Sequence, residues 1–176
     1  MRAPLILLIV LVAGCGPSLE VTQCPTTLVD HYRWSIVPET GEVGRKGPCG
    51  RNDVTSEFFG AEPSVSVITT DCSAATLEQP SMIPVAAGAA IHLRVYHYAL
   101  TSSVTGVGHL ELALGDDALW TQDVDIPSEG ELFETDVVVP SAAAAATPIR
   151  WHVDNHGDNS WNLIELSVMA DCPVTE

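Results

Sequence analysis

The sequence predicts an all-β fold: an antiparallel two-sheet β-sandwich, jelly-roll-like, with about eight strands and stabilised by disulfides. Three observations lead there. Apolar and polar residues alternate with a period of two in segment after segment, and no long stretch has helical spacing. Clusters of Gly, Pro, Asn and Asp divide these segments at the intervals typical of sandwiches. Four cysteines, Cys24, Cys49, Cys72 and Cys172, are spread along the chain without a CxxC pair. In an exported chain that spacing reads as disulfides rather than as a zinc knuckle or a thiol-redox site.

Taken in order, the first alternating segment runs from Leu28 to Val37, with Tyr32, Trp34 and Ile36 opposing His31, Arg33 and Ser35. Residues 38–63 are rich in Gly, Pro and charge and read as a long loop. A short β-branched run, Val65 to Thr70, precedes a second loop at 73–89 that carries Pro80, Pro84 and Gly88. Ile91 to Tyr98 alternates strictly. His109 to Leu114 and Leu119 to Ile126 flank Gly115-Asp116-Asp117, a hairpin by its turn chemistry. Leu132 to Val139, Ile149 to Asp154 and Trp161 to Met169 complete the series. Ala142–Ala146 is bracketed by Pro140 and Pro148, which favour a loop there over a helical turn. Sequence alone permits three pairings of the four cysteines. Because domain termini tend to lie close together, Cys24–Cys172 and Cys49–Cys72 are the expected pairs.

The start of the chain carries its address. Met1-Arg2 precedes the apolar run Leu5 to Leu11 and the small residues before Cys15, the build of a secretory signal. The run is well short of the ~20 residues that a spanning helix needs. Val12-Ala13-Gly14-Cys15 resembles the lipobox of bacterial lipoproteins. That resemblance implies cleavage before Cys15, acylation of Cys15 and anchoring to a membrane through the lipid. Gly16, rather than Asp, then points to the outer membrane, on its periplasmic or surface face. The expected organisation is a signal peptide at 1–14, a lipidated N-terminus and short tether at 15–23, and one domain at 24–176.

Composition removes some partners. The formal charge is −16 for the full chain, and loss of Arg2 with the signal makes it one unit more negative. Nucleic acid and anionic surfaces are poor partners for such a field. No G-x-S-x-G elbow, H-E-x-x-H motif or Gly-rich phosphate loop is present, so the reading leans away from an enzyme and names no catalytic residue.

The densest polar stretch is Ile149 to Leu163. On a strand, Arg150, His152 and Asp154 share one face, and the following turn holds Asn155, His156, Asp158 and Asn159 before Trp161. Asp154, Asn155, Asp158 and Asn159 offer oxygens suited to calcium or to sugar hydroxyls. Loosely, the segment is similar to the last strand pair of jelly-roll carbohydrate-binding modules and galactose-binding-like domains. The similarity implies a glycan ligand but transfers no sugar-contacting residue. With Arg94 and Tyr96 from the strand at 91–98, these residues make the candidate glycan site, in which Trp161 or Tyr96 offers an apolar face to a sugar ring. An alternative uses the histidines. His92, His109, Glu111, His152 and His156, drawn from separate strands, would hold zinc or copper if their faces met. A third reading is a structural lipoprotein whose partner is another envelope protein.

Overall fold

The computed structural model describes residues 23–38, 46–155 and 157–171. These form eleven strands: β1 (Gln23–Thr27), β2 (Ser35–Val37), β3 (Val54–Phe59), β4 (Glu62–Ile68), β5 (Ala74–Pro80), β6 (Ala90–His97), β7 (Gly106–Leu114), β8 (Asp117–Ile126), β9 (Glu131–Val138), β10 (Pro148–Asp154) and β11 (Ser160–Asp171). One 3₁₀ turn, Arg51–Asp53, is the sole helical element among the described residues. None of those residues lies in a helix long and apolar enough to cross a membrane.

The strands make two antiparallel sheets. The six-stranded sheet has the order β3-β4-β11-β6-β9, with β1 also paired to β11, and the five-stranded sheet has the order β2-β5-β10-β7-β8. This is the two-sheet sandwich that the alternation predicts. Three strands were absent from the sequence reading. β1 precedes its first segment, β3 lies inside the long loop, and β5 lies inside the second loop yet sits between β2 and β10. The expected hairpin is present as β7–β8, turning at Gly115 with φ 62°.

Alternation decides what is buried. Leu93 and Val95 of β6, Leu163 and Leu166 of β11, Leu77 of β5, Leu110 of β7 and Val153 of β10 meet between the sheets, each at most 1% exposed. In β11 the alternation is broken. A bulge at Leu163/Glu165 adds one residue, so Leu163 and Leu166 both face inward while Asn162 pairs with Tyr96 and Glu165 with Arg94. Cys49 and Cys72 are joined as expected. Their bond holds the 47–49 segment against the start of β5, where Cys49 N–H donates to the Ala74 carbonyl at 2.6 Å. Cys24 is disulfide-bonded too, and its strand runs alongside the end of β11, opposite Ala170. Cys172, its expected partner, and Cys15 lie outside the described residues.

Candidate functional site

The residues expected to form one glycan site are divided among three places. Arg150 and His152 project from the outer face of the five-stranded sheet, whereas Arg94 and Tyr96 project from the outer face of the six-stranded sheet. A shared core separates the two groups, so no single ligand touches both. Arg150 donates from Nε to Glu78 Oε2 at 2.8 Å and from Nη1 to the Gly115 carbonyl at 3.0 Å. His152 Nδ1 lies 2.8 Å from Thr76 Oγ1.

Trp161 corrects the expectation most directly: it is 0% exposed and its ring belongs to the core. As the second residue of β11 it shares the inward side with Leu163, and it packs on His97 with ring centroids 5.1 Å apart. Asn155 and Asn159 are also buried. Asn155 donates to Thr69 Oγ1 and, at 3.3 Å, to the Gly157 carbonyl. Asn159 donates to Asn155 Oδ1 at 2.8 Å and accepts from Thr101 N–H at 2.9 Å. The loop crosses from one sheet to the other, and these amides bind it to Thr69 and to the Thr101 backbone as well as to its own Gly157 carbonyl. Asp158 holds Lys46 at 2.7 Å, and that ammonium also donates to the carbonyl of Thr70 at 2.6 Å. A cation therefore already sits at Asp158, one of the four side chains expected to hold calcium. His156 lies outside the described residues.

The proposed metal ligands do not converge either. His92 is on the six-stranded sheet, while His109, Glu111 and His152 are on the other. Glu111 and His152 are in register across β7 and β10. The two imidazoles nonetheless turn to opposite sides, His109 to Asp123 of β8 at 2.6 Å and His152 to Thr76 of β5. Among the described residues, metal-ligand geometry occurs in one group, Cys49, Asp53 and Cys72. Its sulfurs are bonded to each other, and Asp53 accepts from Gly50 N–H at 2.7 Å.

What the structure does assemble is the outer face of the six-stranded sheet. Tyr96 of β6 packs against Phe59 of β3, centroids 4.7 Å apart, and edge-on against Tyr98 at 5.0 Å. Tyr98 is 54% exposed. Small polar side chains stand beside the rings. Ser66 and Ser160 share a 2.9 Å hydrogen bond, and Asn162 donates to the Tyr96 carbonyl at 3.1 Å. Next along β6, Arg94 donates to both oxygens of Glu62, at 2.8 and 3.0 Å, and to Glu165 at 3.3 Å. Its pKa is pushed above the ordinary value chiefly by the Glu62 hydrogen bond; Glu165 adds to this and burial opposes it. Glu62 and Glu165 also line a cavity of about 420 Å³ with Asp30, His31, Tyr32 and Ile164. Burial lowers the pKa of His31, against the charge of Asp30 and a hydrogen bond at the Ile164 backbone.

Of the expected site residues, Arg94 and Tyr96 thus stand together in an exposed aromatic and polar strip. Phe59, Glu62, Tyr98 and Glu165 are the members that the candidate site did not include. The one local signal was the break in alternation at Leu163-Ile164, which marks the bulge.

No protein-family model matches this sequence, and no curated protein is found similar to it. Solved structures are similar in shape. A carbohydrate-binding module, TmCBM27, described for its specific mannan recognition, has a TM-score of 0.52 and 8% identity, covering 86% of this chain and 99% of the module. That likeness is one of fold. The family 11 carbohydrate-binding module from Clostridium thermocellum, in complex with a β-1,3-1,4-mixed-linked tetrasaccharide, has a TM-score of 0.42 and 9% identity, covering 82% of this chain and 95% of that one. The enzymatically active domain of bacteriophage CBA120 tailspike protein 4 has a TM-score of 0.46 and 15% identity over 80% of this chain, and the chain spans 20% of it.

Proposed function

We propose that this chain is a non-enzymatic glycan-binding module, tethered to a membrane by acyl groups on Cys15 and displayed beyond the inner membrane. Its binding surface is the outer face of the six-stranded sheet. The observation that carries the reading is the strip of Phe59, Tyr96 and Tyr98 beside Arg94, Glu62 and Glu165. A sugar ring has apolar C–H faces and hydroxyl edges. Partly exposed aromatic rings take the first, and carboxylates at their border take the second. The sandwich shared with TmCBM27, a module that recognises mannan, agrees with this reading. Arg94 holds the Glu62 and Glu165 carboxylates in place as a fixed polar border to the rings.

The test is retention of the purified protein on mannan, xylan and mixed-linked glucan. Tyr96→Ala is expected to lower affinity at least about tenfold, the effect of removing a central aromatic anchor, with an unchanged circular dichroism spectrum. Wild-type retention by Tyr96→Ala would refute the assignment of this face. Mass spectrometry of the membrane-extracted chain is expected to find acyl groups on Cys15 and an N-terminus at that residue. An unmodified Cys15 would remove the anchor from the proposal.

A further inference from the structure

Arg94 is the single lysine or arginine within the six strands of this sheet. The registers place five carboxylates on the same outer face: Glu57, Glu62, Glu134, Asp136 and Glu165. The guanidinium is already engaged by Glu62 and Glu165, and Glu134 stands 3.9 Å from its Nε. Its one positive charge is therefore outnumbered by the carboxylates already gathered around it, and the face keeps a negative balance. His92 offers no open cation, since Nδ1 lies 2.9 Å from Asp136 and Nε2 3.6 Å from Glu134. Beyond Arg94, Asp30 extends the acidic lining into the adjoining cavity.

We propose that this face selects its glycan by charge, taking chains with free amino groups best, neutral chains less well, and excluding uronic-acid and sulfated chains. The inference rests on the glycan reading above. An anionic chain would lie against more carboxylates than the single Arg94 balances, which acts as a repulsive element against the wrong ligand. An ammonium meets those carboxylates and the faces of Phe59, Tyr96 or Tyr98, to which cations are attracted. Each exposed ion pair is weak, so the preference is a graded one that salt suppresses.

The experiment is calorimetric titration of the full chain with four hexasaccharides: β-1,4-glucosamine, its N-acetylated counterpart, β-1,4-mannose and α-1,4-galacturonic acid. The expected result is about three- to tenfold tighter binding of the amine than of its acetylated counterpart at low ionic strength, shrinking in high salt. The galacturonate should show no binding heat. Tyr96→Ala, which leaves net charge unchanged, should lose the amine ligand, whereas bulk attraction to an acidic protein would persist. Galacturonate binding as tight as the others, or amine binding that survives Tyr96→Ala, would overturn the proposal. Binding of mannohexaose through Tyr96 with no charge preference would overturn the selection and leave the glycan reading standing. Binding of none of the four would overturn both.

Discussion

Gly108 of β7 offers a quantitative test of where Trp161 lies. A methyl group at this position would sit 2.8 Å from both Cζ2 and Cη2 of Trp161 and 3.5 Å from Ile126 Cδ1. Carbon atoms settle at about 3.5–4.0 Å, so Gly108→Ala forces an overlap of roughly 0.7–1.2 Å on the Trp161 ring. The ring has little room to withdraw, being fully buried and packed on His97. Overpacking of this kind costs about 1–3 kcal/mol. Replacing a glycine stiffens the unfolded chain and returns about 0.4–1 kcal/mol. The net expectation is a loss of between about zero and 2.6 kcal/mol, with a midpoint of about 1.3 kcal/mol, or roughly 3–5 °C in Tm at that midpoint for a domain of this size. Urea denaturation at constant m-value, with a matching thermal scan, measures it. Trp161→Phe removes the atoms in conflict. The Gly108→Ala/Trp161→Phe double variant should therefore be more stable than the two single losses predict, by at least about 0.5 kcal/mol. If Gly108→Ala is more stable than the parent, or shows no coupling to Trp161→Phe in the double variant, the indole does not lie over β7 and the core assignment of Trp161 fails.

Two further outcomes follow from the fold. Cys49→Ser/Cys72→Ser opens a loop of sequence separation 23, and the chain-entropy relation puts the cost at about 3 kcal/mol; an unshifted urea midpoint would show that the bond constrains nothing. His31, whose pKa burial lowers in the folded chain, takes its proton first in the unfolded chain, so its stabilising contribution is complete above the unfolded value of 6.5. Below that pH, stability should fall by up to about 1.4 kcal/mol per unit until the folded pKa is reached. His31→Gln should flatten this slope in urea titrations between about pH 7.5 and 5, and an identical slope in parent and variant would contradict the burial of a neutral ring.

The strands that were legible in the sequence are those with one apolar and one polar face. β6 reads Ile91-His92-Leu93-Arg94-Val95-Tyr96-His97, and the structure buries its odd-numbered members. β5 was hidden because Ala74-Ala75-Thr76-Leu77-Glu78-Gln79-Pro80 has one large apolar residue and ends on proline, although it is paired on both sides. β3 was hidden by its surroundings, since Val54 to Phe59 is flanked by the glycines and charges that mark loops. His97 shows the limit of polarity as a guide: it sits on the inward side of β6, fully buried against Trp161 and Phe133. For the site, the sequence placed Arg94 and Tyr96 on one face correctly. Their neighbours could not be read, because Phe59, Glu62 and Glu165 arrive through sheet order and a bulge, neither of which is local information.

The same contrast explains why part of the most polar stretch of the chain is turned inward while the aromatic side chains of a less conspicuous strand reach the surface. A loop that carries the chain from one sheet to the other, between β10 and β11, leaves backbone groups with no ladder to join. Asn155 donates to the Gly157 carbonyl, Asn159 accepts from Thr101 N–H of the segment between β6 and β7, and Thr69 N–H donates to the Asn159 carbonyl at 2.9 Å. Density of Asn and Asp in the sequence therefore measured the backbone's need as much as any ligand's. On the six-stranded face the strands pair along most of their length, and although Asn162 bonds the Tyr96 carbonyl, the Tyr98 ring projects into solvent. Tyr96 and Tyr98 contact each other and remain open to solvent, an arrangement that folding alone does not require. Side chains exposed in this way, with polar neighbours already held in place by Arg94, are the ones a ligand can engage without first breaking the fold.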